Sequence, residues 1–350
     1  MMMQPSLKRL RDAFACMTLS IFMDNPSITT PNLYNSTMNL MAQGVRISGH
    51  GSLVSEVRTT NKDLRPDTAV WVEERLGIKE RRHLQADESL VALIENASMQ
   101  ALKMSQLKAH DLDGIIVATS TPDFVNPSMA SVLHGRLGAN TKCASFDIQA
   151  VCAGFVYALG TVASLIASGA GKNFLVVGAD QFSKITDFDD RNCVFFGDAA
   201  GAMIIQATSG DSFLNVELHS EGRGWESFHT PSETRKFKMD SSEVAKNATS
   251  KLPASIRSIS ELSGISTDEI SWFVTHQPSK PVLDALEEDL KIKPGRLLRN
   301  IEYRGNTAGA TIPLLFSEMD VLSRVKSGDY ICFSAIGSGW VWGSAILKWE

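Results

Sequence analysis

One order of segments occurs twice along this chain, and a duplication restricts the fold more than any single motif does. The first copy reads LDGIIVATSTPD, a helical stretch ending LHGRLGA, then CASFDIQA, an elbow and helix VCAGFVYALGTVASLIASG, the strand KNFLVVGAD, and FGDAAGAMIIQAT. The second reads EISWFVTHQPS, PVLDALEEDLKI, GRLLRNIEY, RGNTAGATIPLLFSEMDVLSRVKSG, DYICFSAIGSG and WVWGSAILKW. Matched points keep a nearly constant offset, Cys152 against Asn306 and Ser168-Gly169 against Ser327-Gly328. Each copy predicts a β-α-β-α-β-β unit, and the two are expected to pack as pseudo-symmetric halves, residues 43–210 and 211–350. Strands alternating with helices imply an α/β fold with a mainly parallel sheet covered by helices.

The 350 residues suffice for one large or two medium globular units. With 43% hydrophobic and 21% charged residues the chain has an ordinary globular composition, not a disordered one. A net charge of −5 without a basic stripe speaks against nucleic acid as the main partner. Five widely spaced cysteines in no CxxC pair imply reduced thiols, a cytoplasmic setting, and neither a disulfide framework nor a metal site. Residues 1–42 differ in character. Lys8, Arg9 and Arg11 precede an apolar run, Ala13 to Met23, that faintly resembles a signal peptide but is too short to span a bilayer. They are expected to form an extension outside the core, with Met41 heading the globular part. No later stretch reads as membrane-spanning.

The stretch from Ala153 to Ala167 is apolar on all sides, the mark of a buried helix. It follows the strand near Ala144–Ile148 directly and ends at Gly169. Cys152 therefore sits on a tight strand-to-helix elbow at the positive end of that helix. There a thiolate is favoured, and unpaired N–H groups can hold an oxyanion. On position alone a small buried apolar cysteine is the commoner reading. His276 stands where the strand SWFVT gives way to a loop, a place for a general base or a donor and also for a structural histidine. Asn306, in RGNTAGAT, reads alone as a helix cap. The duplication sets the elbows of Cys152 and Asn306 opposite each other, with His276 at the strand end between them.

The segments DIQAVCAGFVYAL, VTHQPS, YRGNTAGATIPL, FGDAAGA and GSGWVWGSAIL resemble those of the 3-oxoacyl-[acyl-carrier-protein] synthase III family. The likeness runs from about Val45 to Trp349, and the order and spacing of Cys152, His276 and Asn306 make it specific. It implies a thiolase-like fold of two pseudo-duplicated halves in a layered αβαβα arrangement, and a homodimer. The implied reaction is ping-pong. Cys152 takes an acyl group from acyl-CoA, then malonyl on an acyl carrier protein loses carbon dioxide and its enolate attacks the acyl-enzyme. His276 and Asn306 would donate to the enolate oxygen. The N–H of Cys152 and one from the Gly337-Ser338-Gly339 turn would meet the acyl carbonyl. TAVWVEERLGIKERR maps Trp71 to adenine stacking and Arg75 to phosphate, with Arg191 on the other adenine face. Gly197 and Asp198 are implied supports, Asn126 and Phe196 acyl-pocket residues, and Lys246 and Lys280 docking positions for the carrier. No cofactor is implied beyond acyl-CoA as substrate, and no membrane partner.

Several positions depart from that pattern. Where the family commonly has Pro-His-Gln-Ala-Asn, this chain has Thr275-His276-Gln277-Pro278-Ser279, and Pro281 replaces a usual arginine. Asn126 stands where an aromatic or apolar residue often closes the neighbouring subunit's acyl pocket. These changes leave the triad intact and leave room for a specialised paralogue with its own starter, as in secondary metabolism. The second cysteine of biosynthetic thiolases is missing from the turn Gly337-Ser338-Gly339-Trp340, as is the Gly-Phe-Gly-Pro-Gly turn of chalcone-synthase-like enzymes. Elongating synthases have two histidines where this chain has His276 and Asn306. The rival reading from the same residues is an acyltransferase that passes the acyl group from Cys152 to an alcohol or amine.

Overall fold

The computed structural model describes residues 38–350. The first half comprises β1 (Met38–Gln43), β2 (Val45–Leu53), β3 (Arg58–Thr60), α1 (Ala69–Leu76), β4 (Glu80–Arg82), α2 (Leu90–Ser105), β5 (Gly114–Ala118), α3 (Met129–Leu137), β6 (Ala144–Ile148), α4 (Gly154–Ala167), β7 (Asn173–Asp180) and β8 (Ala199–Ala207). The second comprises β9 (Phe213–Ser220), β10 (Phe228–His229), β11 (Lys238–Met239), α5 (Ser241–Ser263), β12 (Ile270–Thr275), α6 (Lys280–Asp289), α7 (Thr311–Glu318), β13 (Tyr330–Gly337) and β14 (Val341–Lys348).

Two five-stranded sheets result, ordered β2-β8-β7-β5-β6 and β1-β9-β14-β13-β12. The repeat unit is longer than the sequence pattern suggests, because β2-α2 leads the first half and β9-α5 the second. Both sheets are mixed rather than mainly parallel. The pairs β5–β6, β5–β7 and β12–β13 are parallel, and the rest are antiparallel. The cause is local: no α-helix crosses between β7 and β8, which are joined by short 3-10 turns, or between β13 and β14, so each chain returns alongside in the opposite sense. The strand expected in GRLLRNIEY shrinks to a single bridge, Phe273 to Leu297, because a short helix at Ile301–Arg304 takes over the chain.

The boundary of the N-terminal extension also moves. Met38 to Gln43, assigned to the extension as far as residue 42, pair along their whole length with β9. Strand β1 thus joins the sheet of the other half. The apolar run at Ala13 to Met23 lies outside the described residues.

Three apolar layers separate the elements. The central one holds α4 between the inner faces of both sheets, with Phe155, Val156, Ala158 and Val162 fully buried. A helix apolar on all sides can be satisfied only there, because both of its flanks meet a sheet. Helix α7 lies in the same layer, and its Ile312, Leu315 and Phe316 join the core. Helices α2 and α3 cover the outer face of the first sheet, and α5 and α6 that of the second. The order is helix, sheet, helix, sheet, helix.

Candidate active site

Both central helices begin at an elbow, and the two elbows touch. The first is a tight turn at Val151–Ala153, the second at Ala308–Ala310. Val151 (φ 46°) and Ala308 (φ 48°) take the same left-handed conformation, one at the head of each elbow. Superposing these two residues makes Gly309, not Asn306, the structural counterpart of Cys152. Asn306 lies in the same elbow, just upstream. A β-branched or alanine residue held at positive φ stores strain of about 1–3 kcal/mol, which persists only where the surroundings over-determine it.

The counterparts differ in what caps them, and the difference creates the site. Asp180 ends β7 and Gly337 ends β13, and the same register that matches Val151 with Ala308 matches these two. The Asp180 carboxylate accepts from Gly309 N–H at 2.8 Å, from Ser120 N–H at 2.8 Å, and from the hydroxyls of Ser120 and Thr121 at 2.9 Å. In the first half the capping residue is a glycine, so the Cys152 N–H meets no carbonyl or carboxylate among the described residues. A Cβ on Gly337 would lie 2.9 Å from Cys152 N and 3.2 Å from Ala153 N. One elbow therefore has its donor filled, and the other leaves it open beside a thiol. Sequence reasoning missed Asp180 and Gly309. The signal was available in the alignment of LVVGAD with CFSAIG.

His276 follows β12 directly, held by its N–H on Ser334 O at 2.8 Å. Asn306 is fixed on both sides, N–H to Phe195 O at 2.9 Å and O from Gly197 N–H at 3.0 Å. Its side-chain oxygen accepts from Ala308 N–H at 2.9 Å, which leaves the amide NH2 as the free end. Cys152, His276 and Asn306 line one cavity with Phe196, Gly337 and Ser338. Helix α5 supplies Val244, Ala245 and Ala248 as its apolar wall.

Burial governs the charges. It pushes the Cys152 thiol up, and the nearby Asp180 carboxylate adds to that. It pushes His276 down to about 3. The thiolate expected from the helix terminus is therefore outweighed by desolvation, and both groups rest neutral.

The remaining residues singled out from the sequence are distributed as follows. Asp198 is fully buried and accepts from Leu84 N–H at 2.8 Å and Ser183 N–H at 2.9 Å, joining three segments behind Phe196. Phe196 stacks on Phe182 with ring centroids 4.3 Å apart, in a cluster with Phe228 and Phe237 against Cys152. Trp71 and Arg75 are exposed on α1, and Arg191 is exposed on a turn capped by Asp190. Their two segments are tied by Arg65, which donates to Asp189 O at 3.3 Å. Lys246 and Lys280 are exposed beside cavity-lining residues of α5 and α6, each paired with a carboxylate of its own helix, Glu243 and Asp284. Gly339 closes the β13–β14 turn (φ 135°) and does not line the cavity. Asn126 is exposed in the loop before α3 and does not line this cavity either. Arg81, unremarked in the sequence, is fully buried and donates to Asn61 at 2.8 Å and Val194 O at 2.5 Å. No cluster of metal-ligating side chains occurs among the described residues.

Two pseudo-duplicated halves in five layers, with a buried cysteine elbow facing a histidine and an asparagine, define a condensing enzyme of the thiolase fold. Residues 146–222 match the model for 3-oxoacyl-[acyl-carrier-protein (ACP)] synthase III, and residues 261–349 match that for its C-terminal region. The β-ketoacyl-[acyl-carrier-protein] synthase III of Methylococcus capsulatus is 36% identical over 88% of this chain and all of its own length. The chain belongs to the 3-oxoacyl-[acyl-carrier-protein] synthase III family. Among solved structures, the synthase III of Aquifex aeolicus superposes with a TM-score of 0.83 at 35% identity, over 87% of this chain and 100% of its own. The priming β-ketosynthase of the R1128 polyketide biosynthetic pathway also gives 0.83, at 26% identity over 88% of this chain and 97% of its own.

Proposed function

We propose that the protein condenses an acyl-CoA starter, held on Cys152, with a malonyl group on acyl carrier protein to give a 3-oxoacyl product. The observation that carries this is one cavity in which an open backbone donor, a thiol and two neutral side-chain donors converge. In the first half-reaction the thiol gives up its proton, the sulfur attacks the acyl carbonyl, and the CoA thiol departs with a proton. The oxyanion on the acyl carbon is met by the N–H of Cys152, with Ser338 in the adjoining turn as the second donor. In the second, the bond between the malonyl carboxylate and its methylene breaks and carbon dioxide leaves. The electron pair passes to the thioester oxygen, where His276 and the Asn306 amide donate. The enolate carbon then attacks the acyl-enzyme, and the Cys152 thiolate is expelled and takes up a proton from water. Neutral donors suit this step, because a developing anion in a dry cavity gains most from fixed dipoles.

Exposed Trp71, Arg75 and Arg191 on tied segments suit the CoA nucleotide, and Lys246 and Lys280 at the cavity's flank suit an acidic carrier protein. A homodimer is supported by β6, an edge strand paired only with β5 that carries the exposed Phe146, and by the exposed Phe124 and Val125 of the loop before α3. In such a dimer the loop of Asn126 would reach the neighbouring subunit. Four free cysteines and no helix long and apolar enough to cross a membrane, among the described residues, agree with a cytoplasmic location. Kinship with both fatty-acid and polyketide priming enzymes leaves the pathway to the identity of the starter. The test is intact-protein mass with a panel of acyl-CoAs, followed by carbon dioxide release from malonyl carrier protein. Cys152→Ala should lose the acyl adduct, while His276→Ala and Asn306→Ala should keep it and lose decarboxylation. If the adduct forms but no malonyl carrier is ever decarboxylated, transfer to an alcohol or amine replaces the condensing reading.

A further inference from the structure

Among the described residues Arg81 is the only arginine or lysine that is buried. Burial lowers its pKa to about 10, so it is still a cation at neutral pH. A buried charge ordinarily has a carboxylate beside it. This guanidinium instead donates to three neutral oxygens, Asn61 Oδ1 at 2.8 Å, Val194 O at 2.5 Å and Thr59 O at 3.4 Å, and its Nε finds no acceptor among the described residues. Such a group gives up its hydration without the attraction of an ion pair in return. What it holds is the mounting of Asn306. Phe195 O accepts from the Asn306 N–H at 2.9 Å, Gly197 N–H donates to Asn306 O at 3.0 Å, and Phe196 and Asn306 form an isolated bridge. Arg81 grips that segment at Val194, one residue before Phe195. Its stem fills the space beside the bridge: a Cβ on Gly197 would lie 3.0 Å from Arg81 Cβ, and one on Gly305 3.3 Å from the same atom. The other end of the guanidinium is anchored on Asn61, whose own amide donates to Ile78 O at 2.7 Å.

We infer that Arg81 is a positioning residue for the second half-reaction: by holding Val194 and packing against Gly197 and Gly305, it fixes the backbone of Asn306 and with it the placement of the free amide. The inference rests on the donor role proposed for Asn306. The Asn306 Oδ1 is tied to Ala308 N–H at 2.9 Å, so the NH2 group cannot turn to absorb a backbone shift without breaking that bond. Its reach toward an enolate oxygen therefore follows the backbone. Cys152 is mounted separately, on the elbow Val151–Ala153, and none of the oxygens that Arg81 holds belongs to that elbow. Loss of the guanidinium should thus slow decarboxylation and leave acylation alone.

The experiment measures the two half-reactions separately in the full-length protein, acyl-Cys152 by rapid-quench intact mass at saturating acyl-CoA and carbon dioxide release from malonyl carrier protein. Arg81→Met should lower carbon dioxide release about tenfold to a hundredfold, the cost of a slightly misplaced reacting group, with acylation within about threefold of wild type. Arg81→Lys keeps the charge but not the planar fork, and should recover only part of the loss. If Arg81→Met does not fold, Arg81→Lys and Asn61→Ala, which frees one end of the guanidinium, should show the same split in milder form. A second readout needs no substrate: the side-chain amide of Asn306 in 15N-asparagine-labelled protein, assigned by its loss in Asn306→Ala, should shift in each variant. Equal losses in both half-reactions mark a general loosening and overturn the inference, as does an Asn306 amide that does not move. A wild type that never decarboxylates malonyl carrier refutes the condensing reading instead, and the amide spectrum then still decides whether Arg81 positions Asn306.

Discussion

Replacing Gly337 by alanine tests the asymmetry between the two elbows. The added Cβ would stand 2.9 Å from Cys152 N, 3.1 Å from Ala150 O and 3.2 Å from Ala153 N, where ordinary contacts begin at 3.4 Å. All three neighbours are backbone, so no flexible side chain can yield. Gly337 does not occupy positive φ, and alanine suits its backbone, so the fold should persist. The methyl group would cover the one elbow N–H that Asp180 does not fill, and a few tenths of an ångström of backbone movement would carry the thiol with it. Loss of a single oxyanion donor costs about 10²–10³ in rate, or about 3–4 kcal/mol of transition-state stabilisation. Rapid-quench intact mass should show acyl-Cys152 forming that much more slowly, with a cooperative melt retained. Gly309→Ala is the control. Its Cβ would meet Asp180 Oδ2 at 2.9 Å, disturbing a donor that is already bonded, so it should lower stability more than it lowers acylation. An acylation rate in Gly337→Ala within about threefold of wild type would refute the open-donor argument.

Other expectations follow from the same geometry. His276 has a folded pKa of about 3 against 6.5 for the free side chain, so the unfolded chain binds the proton first. Its contribution is whole above pH 6.5 and is lost as pH falls toward 3, a loss of about 2 kcal/mol by about pH 5. Urea titrations should show wild type losing that much more than His276→Gln between about pH 7.5 and 5, and parallel curves would refute a buried neutral ring. Asp180→Ala strands buried donors on Ser120, Thr121 and Gly309, and should cost about 3–5 kcal/mol in urea unfolding. Phe146→Glu on the edge strand tests the proposed dimer: the sedimenting mass should fall from that of a dimer to that of a monomer, and an unchanged mass would refute this interface.

Much of this protein was legible in its sequence. The repeat spacing and the apolar character of residues 153–167 were enough to anticipate two halves and a central helix, because hydrophobic period and turn chemistry are local. The order and spacing of Cys152, His276 and Asn306 pointed to one cavity. The tertiary structure decided which elbow residues correspond, since counterparts are set by left-handed turns at Val151 and Ala308 and not by the first match in a string. It placed β1 in the sheet of the opposite half and turned a parallel expectation into mixed sheets, because strand neighbours are chosen across long stretches of chain. It set aspartate against one elbow and glycine against the other. It also fixed the neutral resting state of the thiol and imidazole, which depends on how much water the packed halves exclude. That exclusion comes from residues far apart in sequence, and no local pattern records it.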